Sequence, residues 1–227
     1  PFVSSGAASK INNESKSIAL ACGSHSGSKL HSREAFKILW EYDIDINNLK
    51  CPKSKTSPLE HNCSGKHAAF LATCKKMNWP LDSYLKGDHP LQIEIFRIVS
   101  ELLEIPSSEI NAERDDCGAP TLYLKLLEMS RLYSLLSSSE NAELEQISRA
   151  MTINPIMISD NNKFDTEIIK ASHGNVIGKG GAEGIQCLCK VNEGIGLALK
   201  VEDGSKRAKH AVSLHLLKQL EWISDLR

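Results

Sequence analysis

Residues 176–201 read VIGKGGAEGIQCLCKVNEGIGLALKV, and this stretch decides the fold class. It holds three short apolar runs, Val176 to Lys179, Gly184 to Val191 and Gly194 to Val201, each bounded by glycine. Apolar runs of this length cut by glycine read as strands, because glycine allows the sharp reversals between them. In the middle run Ile185, Cys187 and Cys189 recur at every second position, the period of a strand with one face on a core. Three such runs in succession predict adjacent antiparallel strands. Cys187 and Cys189 would share one face, which casts them as core filler rather than as ligands.

Outward from this sheet the period is helical. Downstream, Asp203-Gly204-Ser205 reads as the cap of a helix from Lys206 to Ile223, with Asp203 as N-cap and Ala208, Val212, Leu216, Leu217 and Leu220 on one face. Upstream, helices are expected over Glu14 to Cys22, from Ser28 or Ser32 with Ala35, Phe36, Leu39 and Trp40 on one face, and from Ser64 or Gly65 to Lys76. Further helices are expected over His89 to Glu104, Thr121 to Tyr133 (buried), Asn141 to Met151 and Phe164 to Ala171. Asp43 to Pro58 is polar with two prolines and reads as a surface loop. Asn111 to Pro120 breaks the helical pattern. A helix-rich middle closed by strands and a helix is α+β, and with no repeat or clean boundary the expectation is one domain over residues 1–227.

Composition narrows the function. The 227 residues carry 27 Lys and Arg against 28 Asp and Glu, a net charge of −1, which offers no field for nucleic acid or an anionic membrane. No apolar run reaches the length of a membrane span, and the opening PFVSSGAASK lacks the regions of a signal peptide, so a cytoplasmic protein is expected. Seven cysteines, an odd number spread thinly, argue for reduced thiols with a metal or catalytic use for a few. Pro1 stands where an initiator Met would, and PFVSSGAA reads as the middle of a strand-to-turn passage, so the chain is expected to be a fragment or a processed form.

Four segments combine glycine with small reactive side chains: Gly23-Ser24-His25-Ser26-Gly27, Asn62-Cys63-Ser64-Gly65-Lys66-His67, Asp115 to Thr121 (DDCGAPT) and Lys179-Gly180-Gly181-Ala182-Glu183-Gly184. Glycine lets the backbone approach a ligand closely while its neighbours supply functional groups. Each alone also reads as a plain turn. Cys63 and Lys66, three apart at a helix start, can face one point, and Cys117 in its Gly-bounded loop can join them. Thiolates suit zinc, and a neutral lysine nitrogen is an unusual third ligand; Lys66 otherwise serves as a cation for a carboxylate.

In this order GSHSG, HNCSGKHAAF, DDCGAPT and KGGAEG resemble the L-asparaginase II family of the Rhizobium etli type, and PFVSSGAAS and GIGLALKVEDGSKRA are similar to its pattern too. The resemblance covers essentially the whole chain. It implies a serine β-lactamase-like fold, hydrolysis of L-asparagine to aspartate and ammonia by Ser-Lys pairs, and zinc on Cys63, Lys66 and Cys117 with water as fourth ligand. Ser24 and Lys179 would form one catalytic pair, Lys179 opening an element like the Lys-Thr-Gly of β-lactamases. His25, Ser26, His67, Asp116, Gly180 and Glu183 are the candidate substrate-binding residues. The alternatives are a hydrogen-bonded structural role for either histidine, a turn cap for Asp116 and a solvated carboxylate for Glu183. The implied partners are L-asparagine and, as an assembly, a homodimer.

The sequence departs from the family at one point. The family's first pair lies in a Ser-x-x-Lys motif just upstream of the segment matching Pro1 to Ala8, and the local match Ser26-Gly27-Ser28-Lys29 falls elsewhere. A second reading is therefore a non-catalytic member that binds zinc and asparagine, or a partner subunit, without turnover. A third, a penicillin-recognising serine hydrolase, rests on Lys179-Gly180-Gly181 alone.

Overall fold

The computed structural model describes residues 1–54 and 56–223. Its opening residues, read as strand to turn, are turns followed by a 3-10 helix, Ala8–Lys10. The chain forms two units, residues 1–124 and 125–227.

In the first unit, Asn13 takes a left-handed conformation and α1 follows over Glu14–Ala21, burying Ser17, Ile18, Ala19 and Leu20. The second helix, α2, runs Lys29–Trp40. Its buried stripe is His31, Glu34, Ala35, Ile38 and Leu39. Phe36 and Trp40, expected on that face, point outward at 40% and 70% exposure and pack on each other. The stripe is displaced because Glu34 is drawn inward, where Ser17 donates to it at 2.6 Å and Lys37 at 3.3 Å. The 43–58 segment is not all surface: Leu49 and Cys51 are buried, and Lys50 N–H donates to the interior hydroxyl of Tyr84 at 2.9 Å.

Helix α3 spans Ser64–Lys76, as its sequence predicts. It lies so close to α1 that a Cβ on Gly65 would sit 2.5 Å from the Leu20 side chain and 2.6 Å from its carbonyl oxygen. Glycine is the one residue that permits this approach. Helix α4, Pro90–Leu103, is capped by His89, whose Nδ1 accepts Leu91 N–H at 3.1 Å. The chain then makes a hairpin of β1, Ala112–Arg114, and β2, Pro120–Leu122. Thr121 is thus in a strand, and the helix expected to start there begins at Leu126. The ladder delays it, continuing with Tyr123 N–H on Asn111 O at 2.8 Å.

The second unit is a three-stranded antiparallel sheet with helices. Helix α5 runs Leu126–Ser137, with Leu127 exposed at 78% and only Leu136 and Ser137 buried, so the buried helix expected over Thr121 to Tyr133 is instead a half-exposed one. Helix α6, Ala142–Ile153, is capped by Asn141 on Leu144 N–H. A short α7, Pro155–Ile158, and α8, Phe164–Ala171, lead to the sheet. Its strands β3 (Val176–Gly180), β4 (Ile185–Lys190) and β5 (Ile195–Lys200) pair in that order. Helix α9, Lys206–Gln219, closes the unit.

Register assigns the faces. Cys189 pairs with Ile177 and Gly196, and a Cβ on Gly196 would collide with the α5 backbone, 2.0 Å from Ser130 O. Leu188 pairs with Gly178 and Leu197, and a Cβ on Gly178 would meet Asp165 of α8. Helices therefore cover both faces, and Gln186, Cys187, Leu188 and Cys189 are all buried. The single-face alternation expected of β4 gives way to burial on both sides. Two further corrections concern α9: Ser205, not Asp203, caps it, and it buries Lys209, Ser213 and Leu217 while Val212 and Leu220 stay exposed. Asp203 instead accepts Ser205 N–H at 2.8 Å and shapes the turn before the cap. The class is α+β.

Candidate functional site

In the first unit, the Gly23 to Gly27 turn and the α3 N-terminus are tied together by backbone, His25 N–H donating to Asn62 O at 3.2 Å. Ser24 is exposed and accepts from Asn62 Nδ2 at 3.1 Å. An amide N–H can only donate here, so Asn62 holds the hydroxyl oxygen but cannot take its proton. Ser26 is also exposed.

His25 is buried at 2% exposure, and its bonds define its tautomer. Nδ1 accepts Gly27 N–H at 3.1 Å, which puts the proton on Nε2, facing Ser64 Oγ at 3.4 Å. Its ring stacks on His31 at 4.6 Å, and His31 bonds Ser28 at 2.8 Å. This arrangement fits the structural role for His25 and braces the turn that carries Ser24.

The second cluster gathers around the first turn of α3 and the β1–β2 loop. Cys63 is the N-cap residue of α3 and Lys66 lies one turn on, which puts both on one side of the helix. The loop brings Cys117 to them: its thiol hydrogen-bonds Cys63, and that bond, against the cost of burial and helped by the Lys66 ammonium, lowers the Cys63 thiol to about 7. The same bond, with burial, pushes Cys117 up to about 12. Burial works against the charge on Lys66, yet Cys63, Cys117 and Asp115 outweigh it and raise its pKa.

Asp115, a residue that sequence reasoning passed over in favour of its neighbour, organises this loop. Its Oδ2 accepts Lys66 Nζ at 3.2 Å and its Oδ1 accepts Cys117 N–H at 2.9 Å. The signal was available: Asp two residues before Cys117 is the spacing of an Asx turn, which fixes the backbone of the residue it caps. Asp116 is exposed. His67 is fully buried, its Nδ1 2.6 Å from Tyr84 Oη. Its Nε2 has no partner in regular hydrogen-bond geometry, although the ring lies close enough to the Cys117 thiol to lower its pKa.

Two sulfurs and one amine, with a carboxylate behind the amine, make a donor set that suits zinc, and three ligands leave a fourth position for water or substrate. Loading would require the two thiols and Lys66 to bind as thiolates and neutral amine, so metal uptake would release protons. Among the described residues no group of three or more His, Cys, Asp or Glu is placed to hold a metal ion.

In the second unit, Lys179 lies on β3, opposite Cys187, and donates to Gly180 O at 2.6 Å. It pairs with Asp165 at 3.9 Å. Gly180 N–H donates to the same Asp165 oxygen at 2.9 Å. Glu183 is exposed in the β3–β4 turn with a left-handed φ of 52°. No helix among the described residues is long and apolar enough to cross a membrane.

The family model described as L-asparaginase II matches residues 1–227. No curated protein matches the chain.

Proposed function

The chain belongs to the L-asparaginase II family, and on that premise we propose that it hydrolyses the side-chain amide of L-asparagine to aspartate and ammonia through an acyl-enzyme on Ser24. At the family level it is an asparaginase-type hydrolase. The observation that carries the finer reading is the gathering of Cys63, Lys66, Cys117 and Asp115 at the start of α3, on the element bonded to the turn that presents Ser24.

The steps follow from the residues. Ser24 Oγ attacks the amide carbonyl while a neutral lysine amine takes up its proton, the role proposed for Lys179. The Oγ–C bond forms, the C–N bond breaks, and the proton returned by Lys179 leaves with ammonia. Water then repeats the attack on the ester and releases aspartate. Asn62, donating to Ser24 Oγ, keeps the oxygen oriented with a lone pair free. Lys179 is itself held by Gly180 O and Asp165, which fixes where the base stands on its strand. We assign zinc to Cys63, Lys66 and Cys117; when bound it would hold or polarise a polar end of the substrate. The β-lactamase-like architecture is part of the same proposal, supported by an antiparallel sheet covered on both faces by helices with a Lys-Gly-Gly at its edge strand.

The test is ammonia release from L-asparagine by the purified protein, beside Ser24→Ala. Turnover is expected, and the substitution should reduce it about a thousandfold or more. Wild-type rates in Ser24→Ala would remove Ser24 from the mechanism. Binding of asparagine with no ammonia released by either protein would favour the non-catalytic reading.

A further inference from the structure

One buried group at the start of α3 has no part in the reaction above. His67 stands four residues after Cys63 and one after Lys66, its backbone N–H donating to Cys63 O at 3.0 Å. Positions i, i+3 and i+4 share one face of a helix, so its side chain leaves α3 on the side that carries Cys63 and Lys66. Its Nδ1 lies 2.6 Å from Tyr84 Oη, and its Nε2 is buried without a regular partner. Tyr84 is fully buried and held from three directions. Lys50 N–H donates to its Oη at 2.9 Å, Gln92 Nε2 donates to its carbonyl at 2.7 Å, and its ring meets the imidazole edge-on at 5.6 Å. Burial pushes the phenol up, so Oη keeps its proton. With Lys50 N–H on one lone pair of that oxygen, the hydroxyl hydrogen finds its acceptor in Nδ1. In the neutral ring the imidazole proton then sits on Nε2, the atom left without a partner.

We infer that His67 is a positioning residue for the metal site, its Nε2–H a preformed donor to the sulfur of Cys117 once that sulfur is bound to metal. Cys117 is 1% exposed, and the imidazole lies close enough to act on its thiol. In the free protein that thiol is hydrogen-bonded to Cys63, and a thiol is a weak acceptor. A sulfur on a metal carries no proton and can only accept. Loading therefore supplies the partner that Nε2 lacks, and relief of a buried, unsatisfied donor adds to the affinity for the metal. The donors run one way: Lys50 N–H to Tyr84 Oη, Tyr84 Oη–H to His67 Nδ1, and His67 Nε2–H to Cys117 Sγ. Through this chain the 43–58 segment is bonded to the metal site across the interior, which accounts for its turning inward at Leu49 and Cys51. The inference rests on the zinc assignment proposed above.

The test has two readouts, neither of them turnover. Metal-free protein is titrated with cobalt(II), which takes the tetrahedral sites of zinc and reports sulfur ligation through a thiolate-to-metal absorption band; zinc competition then gives the zinc affinity. A glutamine amide reaches the place of imidazole Nε2, whereas an asparagine amide reaches only that of Nδ1. His67→Gln can therefore still donate to Cys117 and should stay within about threefold of wild type, while His67→Asn should bind cobalt and zinc about tenfold or more weakly. Equal affinity in His67→Asn and wild type overturns the inference, as does an equal loss in both variants, which would mean that His67 only fills space. The second readout is 15N NMR of histidine-labelled, metal-free protein, with the His67 resonances assigned by their loss in His67→Asn. The proton is expected on Nε2 with Nδ1 bare; a proton on Nδ1 alone overturns the inference whatever the affinities. If the wild type takes up no cobalt, the zinc assignment falls and takes the loading role of His67 with it. The tautomer is read without metal, so that failure is told apart from a failure of the donor chain.

Discussion

Asp115 and Asp116 differ in chemistry only by one position in the chain, yet one organises the cluster and the other faces solvent. The Asx turn explains this, because a carboxylate accepting the N–H two residues on is pinned to the loop, and its second oxygen is then aimed at Lys66. Cys117 depends on that turn for its place and is hydrogen-bonded to Cys63. The prediction at this scale is that Cys117→Ser loses stoichiometric zinc, read by metal analysis after dialysis, while circular dichroism shows the fold intact. Zinc content equal to wild type would remove Cys117 from the ligand set. Cys63, Lys66 and Cys117 were legible as a set because helix spacing and a Gly-bounded loop are local signals. Asp165 was not legible as the partner of Lys179, nor Gln186 as a second donor to Asp165, because only pairing of distant elements brings them together.

Elements were read best where their signals are short-range. The start of α3 is marked by the Ser-Gly pair, α6 by its Asn141 cap, and β3 to β5 by the glycines between them. The errors fall where tertiary context decides. The face of α2 is turned by the buried Glu34, and that of α9 by Lys209, a residue periodicity alone assigns to solvent. The short β1–β2 hairpin has too few residues to show a period. The α1–α3 contact gives a sharp expectation: Gly65→Ala forces the new methyl into Leu20, where the carbonyl cannot yield without moving α1. A loss of about 1–3 kcal/mol in unfolding free energy is expected, read by urea titration. An unchanged midpoint would mean that the helices separate at no cost.

The whole molecule has two units where the sequence suggested no boundary, and the reason is physical: Leu124 and Lys125 lie in a short stretch between β2 and α5, with no run of glycine, proline or serine to mark it. Charge balance, in contrast, is a property of composition, and 27 basic against 28 acidic side chains can be read without any structure. The positions of the three tryptophans give the two units separate optical signatures. Trp40 stands 70% exposed on α2, whereas Trp222, at 7%, belongs to the cluster of Ile168, Val176, Leu188 and Leu217 between the sheet and α9. With Trp40 and Trp79 replaced by Phe, the remaining emission should be blue-shifted in the native protein and move red as that cluster opens. Followed against circular dichroism in denaturant, it would show whether the unit bearing Lys179 melts with the unit bearing Ser24, as coincident transitions, or by itself.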